Sequence, residues 1–154
     1  MNLKADIALG AISGEVSRIE GLYTKFAQKN GTNYGVIQVL YALKFKNPIT
    51  QKQISEICEI PKQTINSVIK QLQISNYIIL ETSSEDKREK KIRLTPLGES
   101  YSDELLKPFV EINEMVAKRV SMDLLHQLSK GIKTLGDALE LEMEIREVSS
   151  KWHY

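Results

Sequence analysis

Residues 50–98, TQKQISEICEIPKQTINSVIKQLQISNYIILETSSEDKREKKIRLTPLG, change hydrophobic period partway along, and that change decides the fold. Thr50-Gln51-Lys52-Gln53 has the form of a capping box, in which the Thr50 hydroxyl takes the Gln53 amide proton and the Gln53 side chain reaches back. A short helix over 50–58 follows, expected to bury Ile54 and Ile57. Pro61 is expected at the first position of the next helix, where its missing N–H costs nothing. In that helix Ile65, Val68, Ile69 and Leu72 recur three and four residues apart. Asn76 lies just past its end, where a left-handed residue is commonly needed. The period then shortens. Tyr77-Ile78-Ile79-Leu80 is aromatic and β-branched, Lys91-Ile92-Arg93-Leu94 alternates, and a charged loop joins them, which predicts a hairpin. Two short helices at 50–58 and 61–74 with a hairpin behind them are a helix-turn-helix and its wing.

Working outward, residues 3–28 read as a helix from Ile7, Ala11, Gly14, Ile19, Leu22, Tyr23 and Phe26, and Asn30-Gly31 breaks it. Asn33 caps a second helix carrying Val36, Ile37, Leu40 and Leu43 on one face, ended by Asn47-Pro48 because a residue before proline resists the helical region. Beyond the hairpin, Thr95-Pro96 is a helix start, and the helix can run to about residue 119. Ser121 caps a last helix in which Leu125, Leu128, Ile132, Leu135 and Leu139 repeat at alternating three- and four-residue steps, the seam of a coiled-coil-like contact. The expected architecture is mainly α with a small β-hairpin wing. Residues 1–154 make one domain, with a winged helix-turn-helix lobe at 33–94 and helices at 3–28 and 96–148 forming a dimerisation part.

The bulk properties agree with this. Of the 154 residues, 42% are apolar and 27% charged, ordinary values for a globular protein. No apolar run nears the ~20 residues that span a bilayer, and no basic-then-apolar leader opens the chain, so the expected location is cytoplasmic. The net charge is only +1, but it divides into +2 over residues 1–45, +3 over 46–93 and −4 over 94–154. A basic middle and an acidic end suit a central module that faces DNA. Cys58 stands alone, which excludes an internal disulfide and a multi-cysteine metal site. His126 and His153 are far apart and lack ligand company, so no metal is expected. No nucleophile stands with a base and no glycine loop cradles a phosphate, so neither enzymatic activity nor a cofactor is expected.

The second helix of the pair fits a major groove about 12 Å wide. With Ile65, Ile69 and Leu72 turned to the core, its outer face is Lys62, Gln63, Thr64, Asn66, Ser67, Lys70 and Gln71. Asn and Gln can read adenine edges, Ser and Thr adapt to either groove edge, and lysines mainly hold phosphates. No carboxylate occurs between Pro61 and Leu80 to repel DNA. At the wing tip Asp86 stands two residues from Arg88 and can fix its direction, and an aimed arginine suits a narrow minor groove. Lys87 and Lys90 add charge there. The other reading of the helix face is an ordinary solvated surface, and the wing taken alone reads as a solvated charged turn. Tyr23, Phe26, Tyr34 and Tyr41 line a ligand cavity in one reading and are plain core in another. Cys58 is expected to be a small buried residue rather than a redox sensor.

The run from Asp86 to Gly98, with its D-x-R followed by L-T-x-x-G, resembles the signature of the multiple-antibiotic-resistance regulator (MarR) family. The stretch Lys62 to Leu72 and the order of elements are similar too, so the resemblance covers nearly the whole chain. It implies a homodimer on pseudo-palindromic double-stranded DNA, usually a repressor, relieved by small ligands or oxidants, with the terminal helices as dimer interface. Ile7, Leu125, Leu128, Ile132, Leu135 and Leu139 are the expected interface residues. Relatives that sense oxidants carry their cysteine in the first helix, where this chain has none. Two departures stand out. Ser67 replaces a frequent arginine, which removes a phosphate contact, and Asn76 replaces the usual glycine after the recognition helix. Two other classes of function fit the same elements: a winged-helix protein-interaction module without DNA binding, and a small-molecule carrier. A steep fall of duplex-DNA binding with salt separates the first reading from both.

Overall fold

The computed structural model of the chain describes residues 3–47, 49–82 and 90–151. The element order is α1 (Leu3–Lys29), α2 (Tyr34–Phe45), β1 (Ile49–Thr50), α3 (Gln51–Cys58), α4 (Lys62–Ile74), β2 (Ile78–Thr82), β3 (Lys90–Leu94), α5 (Pro96–Val120) and α6 (Met122–Lys151). A mainly helical chain with a small antiparallel sheet is what the periodicity predicts. No described helix is long and apolar enough to cross a membrane. Contacts divide the chain into two compact units between Lys107 and Pro108, inside α5.

In the first unit α2 is the central element. Val36, Ile37, Val39, Leu40, Ala42 and Leu43 are all buried, more than one face of a helix, because α1, α3, α4 and β3 pack around it. Asn33 caps α2 as expected, its side chain accepting the Val36 amide proton at 3.0 Å. The helix stops at Phe45, with the Lys46 amide bonded to the Ala42 carbonyl. Asn47 therefore lies beyond the helix rather than ending it. Its amide group spans two elements, taking a proton from Leu94 N–H at 3.4 Å and donating to Glu99 at 3.1 Å. Lys44 reaches both Glu99 and Asp103 at 2.7 Å. Hydrogen bonds to Asp103 and then Glu99 hold its ammonium pKa above the usual lysine value.

Helix ends follow their sequence signals. At the end of α1 the Gly31 amide bonds to Gln28 at 3.1 Å and the Thr32 amide to Ala27 at 3.1 Å, a Schellman motif that needs the positive φ of 71° at Gly31. At the end of α4 the same motif recurs, with Asn76 N–H to Gln73 at 3.0 Å and Tyr77 N–H to Leu72 at 2.9 Å. Here the left-handed residue is Asn76, φ 58°, so the asparagine fills the glycine position. The capping box of α3 is complete, with bonds of 3.1 and 3.2 Å between Thr50 and Gln53.

Three expectations need correction. Ile57 is 57% exposed. The inner side of α3 is marked instead by Ile54 and by half-buried Cys58 four residues on, whose thiol meets the Gln38 carbonyl of α2 at 3.5 Å. Pro61 is the N-cap of α4, in extended conformation with ψ 139°, one position before the expected first helical residue. The wing is also more than a hairpin. Ile49 and Thr50 form a short third strand on β3, pairing Ile49 with Ile92 and Thr50 with Lys91, in sheet order β1-β3-β2. The hairpin strands reach Thr82 and begin at Lys90, paired from Ile78–Leu94 out to Thr82–Lys90.

The junction of β2, β3 and α5 gives the L-T-x-x-G run a mechanical meaning. Thr95 donates its amide proton to the Tyr77 carbonyl at 3.0 Å and its hydroxyl proton to the Asn76 carbonyl at 2.7 Å. The same hydroxyl accepts the Gly98 amide proton at 2.9 Å, capping α5. Gly98 is pressed against the chain it caps: a Cβ there would lie 1.8 Å from the Tyr77 carbonyl oxygen. Tyr77 and Tyr101 stack beside this point with ring centroids 4.0 Å apart.

The second unit holds the rest of α5 and α6. Pro108 lies inside α5, where it removes one helical N–H. Ser121 caps α6, accepting the Leu124 amide proton on its hydroxyl at 3.3 Å. On α6, Leu128, Ile132 and Leu139 are 49%, 46% and 41% exposed. Leu125 and Leu135 are half-buried.

Gly98→Ala is expected to destabilise the fold by about 2–3 kcal/mol, because the backbone carbonyl in the way cannot rotate aside as a side chain can. Urea unfolding followed by far-ultraviolet circular dichroism measures this, and an unchanged midpoint would show that the junction relaxes freely.

Candidate nucleic-acid interface

The helix-turn-helix is set by its turn. Glu59 follows α3 in the left-handed region, φ 52°, its amide bonded to the Ser55 carbonyl. Ser55 also donates its hydroxyl proton to the Ile60 carbonyl at 3.3 Å. The αL residue reverses the chain and Pro61 starts α4 at once. A non-glycine residue in this conformation is uncommon, and no spacing rule points to Glu59, so the sequence reading passed over it.

On α4 the inner stripe is complete: Ile65, Val68, Ile69 and Leu72 are all buried. The opposite face is uniformly exposed: Lys62, Gln63, Thr64, Asn66, Ser67, Lys70 and Gln71. Among the described residues neither Lys62 nor Lys70 is paired with a carboxylate. Two cations, amides and hydroxyls thus share one surface with no acidic side chain between them. One member is linked to the neighbouring helix: the side chain of Gln51, at the start of α3, hydrogen-bonds with that of Asn66. The sequence reading missed this link because residues 15 apart share no helix and no strand register.

The wing's strands present Ile79, Glu81, Lys91 and Arg93 on one face and bury Ile78, Ile92 and Leu94 on the other. Arg93 Nε lies 3.1 Å from each carboxylate oxygen of Glu81, so its charge is answered within the sheet. Lys90 is exposed at the start of β3. The tip residues Asp86, Lys87 and Arg88 lie outside the described residues.

The four aromatic candidates do different things. Tyr23 and Tyr34 stack with centroids 5.3 Å apart, and burial, then Tyr23, pushes the Tyr34 phenol pKa up. Tyr41 stacks on Phe45 at 6.3 Å. Phe26, with Leu22, Lys25, Gln28 and Lys29, borders a surface depression of about 530 Å³. Cys58 is half-buried and burial pushes its thiol pKa up, which keeps it protonated and a poor nucleophile at neutral pH. Among the described residues no group of three His, Cys, Asp or Glu side chains is arranged to hold a metal.

Residues 30–89 match the sequence model of the MarR family. The chain matches none of the curated protein sequences. Among solved structures it is similar to a MarR family regulator from Neisseria meningitidis, with TM-score 0.81 and 24% identity over 90% of this chain and 98% of that one. A MarR/EmrR family transcriptional regulator from Acinetobacter gives TM-score 0.71 and 22% identity over 92% and 99% of the two chains. The MarR protein of Staphylococcus aureus, solved in complex with salicylate and kanamycin, gives 0.65 and 22% over 92% and 95%. Residues 30–89 are thus similar to the MarR family, and the fold of the chain is the one seen in these solved structures.

Proposed function

We propose that the chain is a sequence-specific DNA-binding transcriptional regulator, a homodimer that represses from a pseudo-palindromic operator and is released by a small ligand. The observation that carries this reading is the outer face of α4. Its seven exposed side chains are basic, amide or hydroxyl, on a helix whose other side is locked to the core. Such a face offers phosphate contacts through Lys62 and Lys70 and base-edge contacts through Gln63, Thr64, Asn66, Ser67 and Gln71. Lys87, Arg88 and Lys90 are the basic side chains of the wing proposed to add to this contact. The cytoplasm is the compartment that gives such a regulator its DNA.

The dimer reading rests on α1 and α6. Ile7 is 65% exposed, and Leu128, Ile132 and Leu139 are each above 40%. Apolar side chains repeated along a helix and left open to water favour burial against a second copy. Two recognition helices held about 34–36 Å apart then meet successive major grooves on one side of the duplex. For the effector, the support is the two complexes among the similar structures, one with salicylate and kanamycin and one with a natural ligand. In this chain Tyr23, Phe26, Tyr34 and Tyr41 are the aromatic side chains proposed to receive it.

Fluorescence-anisotropy titration of duplex DNA over a salt series tests the reading, which requires affinity to fall steeply with salt. Salt-insensitive or absent binding would leave a protein-interaction module instead. Lys70→Ala is expected to weaken all sequences alike and reduce the salt slope by about one unit, whereas Asn66→Ala and Gln63→Ala change sequence preference. Leu135→Asp is expected to split the dimer, since a carboxylate buried without a partner costs several kcal/mol and enters a symmetric interface twice. Sedimentation gives the mass and anisotropy the affinity; a folded monomer that binds operator as tightly as the parent would refute the dimer mechanism.

A further inference from the structure

We propose that the end of α6 from a second copy of the chain docks on a hollow of α1, and that two rows of charge fix this pairing: Lys25 and Lys29 on α1, Glu140 and Glu144 on α6. The proposal rests on the dimer reading of α1 and α6. It adds to the seam of Leu128, Ile132 and Leu139 a second contact with a charge pattern of its own.

From Leu139 to Ile145 the chain reads Leu-Glu-Leu-Glu-Met-Glu-Ile, apolar and acidic in strict alternation. On a strand this pattern makes one apolar face, but the segment is helical. On a helix, residues four apart share a side and residues two apart do not. Leu139 and Met143 therefore continue the seam, and Leu141 and Ile145 stand on another side. All four are exposed, Leu141 at 56% and Ile145 at 49%. Apolar side chains on two sides of a helix call for cover from two sides. The seam accounts for one, and Leu141 and Ile145 require a separate surface. Glu140 and Glu144, both exposed, run between the two stripes.

The depression of about 530 Å³ on α1 has the matching chemistry. Its apolar border is Leu22, 55% exposed, and Phe26; its basic border is Lys25 and Lys29, both exposed. Among the described residues no ion pair engages either lysine, Glu140 or Glu144. The lysines are four residues apart and so are the glutamates, so the two rows share one pitch, about 6 Å. Residues 18–29 carry a net charge of +2 and residues 137–146 a net charge of −3. Pairing either segment with its own copy opposes like charges, whereas pairing α1 with α6 joins opposite ones. Two-fold symmetry then makes the contact twice.

Sedimentation of the chain over a salt series tests this. The parent is expected to dimerise less tightly as salt rises, because exposed charges are screened. Lys25→Glu with Lys29→Glu, and separately Glu140→Lys with Glu144→Lys, should each weaken self-association at least roughly tenfold. An equimolar mixture of the two variants should form mixed dimers as tightly as the parent does, since each chain then meets the opposite charge at both contacts. Circular dichroism checks that the helices persist. If a reversal unfolds the chain, Lys25→Gln with Lys29→Gln takes its place and should flatten the salt dependence of the dimer. A folded variant that dimerises as the parent does, with the same salt dependence, overturns the proposal and gives the hollow to another occupant. So does a mixture that stays dissociated; recovery in one chain carrying all four reversals would then place the contact within that chain. A parent that is monomeric at every salt concentration removes the dimer reading itself, a failure distinct from the other two.

Discussion

The carbonyl oxygen of Tyr77 is where four elements of the first unit meet. It accepts the Thr95 amide proton while the α-carbon of Gly98 presses on it from α5. Just before it, Asn76 closes α4 in the left-handed region; just after it, β2 begins. The end of α4, both ends of the hairpin and the start of α5 are thereby held within one set of short bonds. Removing a partner would leave a partly buried carbonyl or amide unsatisfied, which costs more than the net worth of one hydrogen bond. The orientation of α4 relative to its wing depends on this knot more than on the packing of either element alone.

Above that knot, α2 supplies the hydrophobic floor. Its six buried side chains meet α3 and α4 on one side and β3 on another, so the helix-turn-helix and the wing share one core. A polar face can then be displayed on α4 without cost to stability, because the surface residues there contribute little to holding the helix down. Exposure and chemistry are separable: the buried stripe fixes the helix, and the chemistry of the outer residues is not set by the core.

Much of this was legible from the chain. The spacing of Ile65, Val68, Ile69 and Leu72 separated the two faces of α4 because 3.6-residue periodicity survives any tertiary context that buries one side. Thr50, Asn33, Thr95 and Asn76 declared helix ends because capping depends on side chains a few residues away. What escaped depended on partners distant in sequence. The two-residue strand at Ile49 has no pattern of its own and exists only because β3 is beside it. Ile57 lies three residues from Ile54 and looked inward, yet α3 turns Cys58 toward α2, a fact fixed by where α2 runs. The Gln51–Asn66 link required knowing how two helices are set by a turn at Glu59. The exposure of the outer face of α4 follows from the same spacing, and the geometry adds that its Asn66 side chain meets Gln51 of α3.

Pro108 brings a consequence of a different kind. Lacking an N–H, it leaves the Glu104 carbonyl without its usual helical partner four residues on, so the hydrogen-bond ladder of α5 is weakened at that point. The interruption falls at the boundary of the two compact units. Amide protons on the two sides can therefore exchange with solvent at separate rates, and unwinding that begins at Val120 has a place to stop before it reaches Thr95 and the junction that holds the wing.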